Sequence, residues 1–347
     1  MTRLARFAWT VLLGNVAVIL WGGFVRATGS GAGCGSHWPT CNGVVVPRSG
    51  SVATLIEVSH RFTSGAAFGA VLLLLALIFV KTPRRHPARR SALYAMLFML
   101  GEVVIGAAIV LLGHVAMDPS ALHGVFTELH AGNTFLLLGA LTLTGHHLSR
   151  GTDAAPLRIA GRRGLVLTLA QAFLGLALTF ASGAIAALGD TLFPSHSLRE
   201  GLTQDLSKGA HMFLHLRTLH PIFALIAFVL VVGAASDIRG RDDVSKKARS
   251  RATLVITVVS VQMLLGAVNL WLLVPVATQI LHLACADALF ISLVLLTAHA
   301  LSGDRIASAG QGTTSMSTRR SVRHLPGDGS ESSLPAEAVT SRSVETP

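Results

Sequence analysis

Eight apolar runs, each close to 20 residues long and parted by short polar stretches, set the pattern of this chain. They cover about 7–25, 57–80, 91–112, 123–145, 164–187, 212–235, 253–273 and 279–301. A helix needs about 20 largely apolar residues to cross a bilayer, so each run predicts a membrane-spanning helix. The first run also has the look of a signal peptide. Its length, and the lack of a small-residue cleavage site before Arg26, favour a retained helix. The pattern stops near residue 302. The stretch 302–347 is rich in Ser, Thr, Arg and Glu, and reads as a disordered cytoplasmic tail.

Composition agrees. The chain is 51% hydrophobic and 13% charged, with mean hydropathy +0.61. Soluble chains carry about 25% charged residues, so the expected class is an all-α integral membrane protein. A formal net charge of +11 suggests nucleic acid at first sight. The basic residues, however, sit in the short connections: 22 of the 28 Lys and Arg fall on one side of the spans. The other 6 are Arg26, Arg48, Arg61, Arg199, Lys208 and Arg217. This is a topology signal that puts both termini in the cytoplasm, and no nucleic-acid partner is expected.

Four of the 15 histidines, inside or at the ends of the apolar runs and near their outer ends, stand in matched surroundings. His60 in EVSHRFTSG is matched 160 positions later by His220 in LRTLHPIFA. His130 in LHAGNTFLLLGALTL is matched 152 positions later by His282 in LHLACADALFISLVL. Each even-numbered span carries one of them. The chain therefore reads as two parallel, pseudo-symmetric halves of four helices, 1–150 and 151–301. Paired imidazoles inside a helix bundle are what a six-coordinate haem iron requires. The outer arginines Arg26, Arg61 and Arg217 are candidates to meet haem propionates. The competing reading is polar bonding between helices.

The stretch from Arg26 to Arg61 concentrates the remaining chemistry. It holds Cys34 and Cys41 in a Gly-rich loop, followed by Glu57 and His60 one helical turn apart. The topology places the cysteines on the oxidising side, where a disulfide persists. Their role is open between a structural clip and a redox relay. The halves differ: three residues before His60 stands Glu57, and three before His220 stands Arg217. A carboxylate beside one haem suits proton transfer or stabilisation of a developing cation. One half is then expected to do chemistry and the other to hold a permanent cofactor.

These residues resemble the haem A synthase family. The similarity rests on GGFVRATGSGAGC, WPTCNG, IEVSHR, LHAGNTFLLLGALTL, SGAIAALGDTLFP, LRTLHP and the helix around His282, spread from Trp21 to Ala300. It departs at Gly35, Ser36 and His37. The resemblance implies eight helices in two four-helix bundles in the cytoplasmic membrane. The implied oxidoreductase converts the C8 methyl of haem O to a formyl group by successive hydroxylations, with water as the oxygen source. It implies His60 and His130 as ligands of the substrate haem and His220 and His282 as ligands of haem b. It further implies Glu57 as the catalytic carboxylate and Cys34–Cys41 as an outer-loop disulfide pair. Candidate partners are membrane lipid, a haem O-forming enzyme, an electron acceptor and a second copy of the chain.

Other residues carry weaker signals. His123, seven before His130, is the rival ligand. Cys285 reads as an apolar filler. His211 and His215 share a helix face with metal-ligand spacing, and solvated side chains are the simpler reading. Trp21, Trp38 and Trp271 fit an interfacial belt. Asn133 either orients a group near the substrate or bonds a neighbouring helix. Two further readings stand beside the enzyme: a di-haem electron-transfer subunit and a haem carrier or exporter.

Overall fold

A computed structural model describes residues 1–47, 50–151 and 159–302. Ten α-helices account for most of them: α1 Arg3–Ala27, α2 Val52–Lys81, α3 Ala88–Leu111, α4 Ala121–Arg150, α5 Arg163–Leu192, α6 Leu198–Leu206, α7 Met212–Arg217, α8 Leu219–Gly240, α9 Lys246–Trp271 and α10 Val276–Leu301. Among the described residues there is no strand; an isolated bridge joins Cys41 and Val44. Arg48 and the expected disordered tail beyond Ser302 lie outside the described residues, and the expected boundary at 150/151 lies at the edge of 152–158, which are outside them too.

Helix starts follow local chemistry. Ser51, Ser120 and Ser245 cap α2, α4 and α9, each side chain accepting a backbone N–H three residues on. The expected span 212–235 is two helices, interrupted at Thr218. Pro221 cannot donate to the carbonyl of Arg217, and its ring crowds that carbonyl, so the helix breaks there. Helix α6 was not expected. It is a short cap between α5 and α7, too brief to give an apolar run.

Among the described residues, seven spans are long and apolar enough to cross a membrane: α1, α2, α3, α5, α7 with α8, α9 and α10. The protein is a multi-pass membrane protein. The fourth expected span is a helix too, and its 30 residues reach about 45 Å. It is more polar than the rest, carrying Glu128, His130, Asn133, His146 and His147. The reason is its place in the fold. Helix α4 packs on α1, α3, α5 and α10, and much of its surface meets protein instead of lipid.

Two hydrophobic cores are built from small and branched side chains. One joins α1 to α4 through Ala5, Ala8, Leu12, Leu74, Ile78, Ala92 and Leu141. The other joins α5, α8, α9 and α10 through Leu169, Ala172, Val231, Ala235, Val255 and Leu293. Alanine at these contacts lets helices approach closely, as lipid-embedded helices require. Phe290 packs against both cores. It meets Phe135 of α4 edge-on at 5.1 Å, and Phe135 stacks on Phe180 of α5 at 3.6 Å. Leu72, Leu73, Leu97, Val104, Leu225 and Val229 point outward, as lipid-facing positions should.

Candidate functional site

The loop after α1 folds back onto the start of α2. Cys34 and Cys41 form a disulfide and are fully buried. Gly33 allows the close approach: a Cβ there would stand 2.5 Å from the backbone of Ala53, so no other residue fits. Thr54 Oγ1 donates to the Gly33 carbonyl at 2.8 Å. Glu57 Oε2 accepts from the Cys34 N–H at 2.8 Å, while Oε1 pairs with Arg61. Arg61 also donates to the carbonyls of His37, at 2.6 Å, and Thr40. Glu57, 4% exposed, therefore ties the disulfide loop to α2.

The four repeated histidines share one setting. Each is half-buried, and each lies over a glycine of the preceding membrane helix. A Cβ on Gly22 of α1 would stand 3.0 Å from His60 Cε1, and one on Gly106 of α3 would stand 3.9 Å from His130 Cε1. In the second half, a Cβ on Gly183 of α5 would stand 3.0 Å from His220 Cε1, and one on Gly266 of α9 would stand 3.0 Å from His282 Cε1. Hydrogen in place of a side chain leaves His60, His220 and His282 room against the neighbouring backbone, while at Gly106 a Cβ would only touch His130 at ordinary contact distance.

The histidines come together in two pairs. His220 and His282 have ring centroids 6.5 Å apart and planes at 88°. His60 and His130 lie within electrostatic range of each other. Their partners differ. His220 Nδ1–H meets the Thr179 carbonyl at 3.1 Å, with Ser182 Oγ 3.2 Å away. His282 has the side-chain amide nitrogen of Gln262 at 3.3 Å from Nε2, and its buried Nδ1 has no protein partner. His60 Nδ1 is likewise buried without one. His130 Nδ1 stands 2.9 Å from Glu102 Oε2 of α3. That oxygen lies off the ring's N–H line, so the contact is a close approach and not a linear hydrogen bond.

The other candidates resolve as follows. His123 is buried at the start of α4, with Nδ1 on the Asp118 carbonyl at 2.7 Å, which commits it to the loop. In that loop, desolvation pushes the Asp118 carboxyl up, but hydrogen bonds from His114 and Ser120 outweigh it and hold it down at about 2. Asn133 bonds α3, donating to the Phe98 carbonyl at 2.7 Å and to Glu102 at 2.6 Å. His211 caps α7. No group of three or more metal-ligating side chains stands among the described residues. Cys285 is a free thiol beside the Val258 carbonyl.

The three outer arginines are engaged within the protein. Arg26 donates to the Ala187 carbonyl at 2.6 Å, to Thr191 at 3.1 Å and to Gln279 at 3.0 Å. Arg217 holds Asp205 at 2.6 Å and Asp190 at 3.0 Å. Glu102, Gln262 and the four glycines were absent from the sequence expectations. Their signal is Glu102-Val-Val-Ile-Gly106 recurring 160 positions later as Gln262-Met-Leu-Leu-Gly266.

Against this geometry, residues 5–294 match the family COX15-CtaA, described as cytochrome oxidase assembly protein. The chain belongs to this family. Among family relatives, a protein of Thermus thermophilus named protoheme IX farnesyltransferase is 43% identical over 315 residues. That match covers 90% of this chain and 51% of the relative. A heme A synthase of Exiguobacterium is 39% identical over 109 residues, 31% of this chain and 36% of that protein. One from Bacillus mycoides is 41% identical over 98 residues, 28% of this chain and 32% of that protein. The chain thus spans about half or less of the length of these curated relatives.

Proposed function

We propose that this COX15-CtaA protein is a haem A synthase, oxidising the C8 methyl of haem O to a formyl group. The observation that carries the reading is the set of four histidines, each seated over a glycine and gathered into two pairs. The rings of His220 and His282, with centroids 6.5 Å apart, are close enough for both to reach one metal ion with bonds of about 2 Å. The buried, unpartnered Nδ1 atoms of His60 and His282 are also what ligand rings leave over before a metal arrives.

In this reading His220 and His282 hold haem b, and His60 and His130 receive haem O. Haem b supplies one-electron transfer when bound. Each hydroxylation removes two electrons and two protons and takes its oxygen from water, and loss of water from the twice-hydroxylated carbon leaves the formyl group. An external acceptor takes the four electrons. Glu57 is the carboxylate assigned to accept a proton or to face a developing positive charge. Its oxygens are held by Cys34 N–H and Arg61, so proton uptake there is coupled to the seating of the disulfide loop. The proposed topology has both termini in the cytoplasm and the Cys34–Cys41 loop outside.

A di-haem electron-transfer subunit would use the same four histidines. The asymmetry between halves favours the enzyme: Glu57 is matched by Arg217, and Glu102 by Gln262. The test is the mass and chromatographic profile of haems extracted from membranes that contain the protein and an active haem O source. Haem A is expected from the wild type, with Glu57→Ala stalled at haem O or a hydroxylated form. Unmodified haem O from the wild type would overturn the reading. New haem O in membranes given haem b alone would instead point to the farnesyl transfer named in the Thermus relative.

A further inference from the structure

We infer that Glu102 is the positioning residue of His130. It occupies the Nδ1 side of the ring, leaves Nε2 for the iron, and gives the N-terminal site an acidic partner that the C-terminal site lacks. The inference rests on the haem reading above and adds to it a residue that neither motif nor resemblance singled out.

Glu102 sits inside the apolar run of α3, where an acidic side chain is costly and marks a site by default. It is held from three directions by α4. Its Oε1 accepts from Asn133 Nδ2 at 2.6 Å and from Thr134 Oγ1 at 3.2 Å. Its Oε2 is thereby turned to His130 Nδ1, 2.9 Å away. Gly101 makes this possible, since a Cβ there would stand 2.7 Å from Asn133 Oδ1. Asn133 Nδ2 also donates to the Phe98 carbonyl at 2.7 Å, so the same amide nitrogen is held between α3 backbone and Glu102. Contacts of this kind are often off-line until the site is loaded.

The second half supplies the comparison. Glu102 stands four residues before Gly106, the glycine under His130; Gln262 stands four residues before Gly266, the glycine under His282. Both reach a ring nitrogen of their histidine, Glu102 the Nδ1 of His130 with a carboxylate oxygen at 2.9 Å and Gln262 the Nε2 of His282 with an amide nitrogen at 3.3 Å. The repeat therefore keeps a polar side chain against the imidazole in both halves but changes its chemistry and the nitrogen it meets. A carboxylate behind a ligating imidazole raises the ring's basicity and fixes its orientation. It stabilises the ferric state over the ferrous. A neutral amide does neither to the same degree.

The test uses the full-length protein purified with its haems, compared with Glu102→Gln and Gln262→Glu. Redox titration and electron paramagnetic resonance of the ferric haems are the readouts, with the N-terminal signal identified as the one lost in His130→Ala. Glu102→Gln is expected to move the N-terminal midpoint potential upward and to shift its resonance, leaving the C-terminal haem unchanged. Gln262→Glu should move the C-terminal potential downward. Loss of the N-terminal haem alone from Glu102→Gln also supports positioning, because the retained C-terminal haem reports a folded protein. An N-terminal haem retained with unaltered potential and resonance overturns the inference. If Glu102→Gln loses both haems, an unmoved C-terminal potential in Gln262→Glu overturns it. A wild type that binds no haem overturns the haem reading itself and this inference with it.

Discussion

Glu57 Oε2 accepts a hydrogen bond from the backbone N–H of Cys34 at 2.8 Å, so the acid that opens the second membrane helix also closes the outer disulfide loop. Its other oxygen is paired with Arg61, which in turn holds the His37 and Thr40 carbonyls. One carboxylate and one guanidinium thus pin both arms of the loop to α2. Any chemistry assigned to Glu57 takes place on a residue whose removal also loosens the loop. The two roles call for different substitutions.

Glu57→Gln keeps an oxygen for the Cys34 N–H but gives up the charge facing Arg61. A carboxylate used in proton transfer is worth about 10²- to 10⁴-fold in rate. Haem A formation is expected to fall by about that factor in Glu57→Gln, while the loop stays protected from protease. Loop cleavage in step with lost product would assign Glu57 a structural role alone.

The disulfide closes a short loop, seven residues apart in sequence. The loop-closure model puts such a crosslink at about 2–3 kcal/mol. The Cys34→Ser, Cys41→Ser double variant leaves the backbone N–H on Glu57 untouched. Faster hydrogen exchange across the loop is expected, with haem A output reduced by less than about tenfold. A loss of product as deep as that of Glu57→Gln would favour the thiol relay.

Periodicity and charge made most of the helical frame legible, because lipid demands long apolar runs and topology follows Lys and Arg. The break at Thr218 and the cap helix α6 were hidden, since neither changes the apolar pattern. The histidine repeat was visible through its flanking residues. The glycines beneath the histidines were not, because a glycine in a membrane helix is common and only the crossing geometry gives it a meaning. Glu102 was overlooked for a different reason. It neighbours no histidine in sequence and reaches His130 from another helix, 28 positions away. The arginines expected for propionates were read from their side of the membrane, whereas their carbonyl and carboxylate partners arise only in the fold.

Gly183 and Gly266 each lie 3.0 Å from an imidazole carbon, counted from where a Cβ would stand. That distance forces the ring to move, and the ring's position is what a ligand needs. Gly183→Val and Gly266→Val are therefore expected to lose at least half of the haem b bound per chain. Gly233→Val in α8, where nothing lies within 4 Å of an added Cβ, serves as the matched control and should keep it. The pyridine haemochrome spectrum of purified protein measures the content. Full haem in both valine variants would remove the glycine seats from the argument.

Arg26 makes the last prediction. Its guanidinium, rooted on α1, bonds the Ala187 carbonyl and Thr191 of α5 and the Gln279 side chain of α10. Hydrogen bonds to charged groups contribute about 1.5–3 kcal/mol each, and removing a shared donor leaves its acceptors unpaired. The three are not additive, so Arg26→Met is expected to cost about 3–4 kcal/mol. Lysine has the charge but lacks the planar fork, and cannot serve α5 and α10 at once with the same geometry. Arg26→Lys should therefore recover less than half of the loss. Thermal unfolding in detergent, followed by circular dichroism, checks both variants. Equal stability of Arg26→Met and wild type would show that the apolar contacts of α1 with α5 and α10 suffice by themselves.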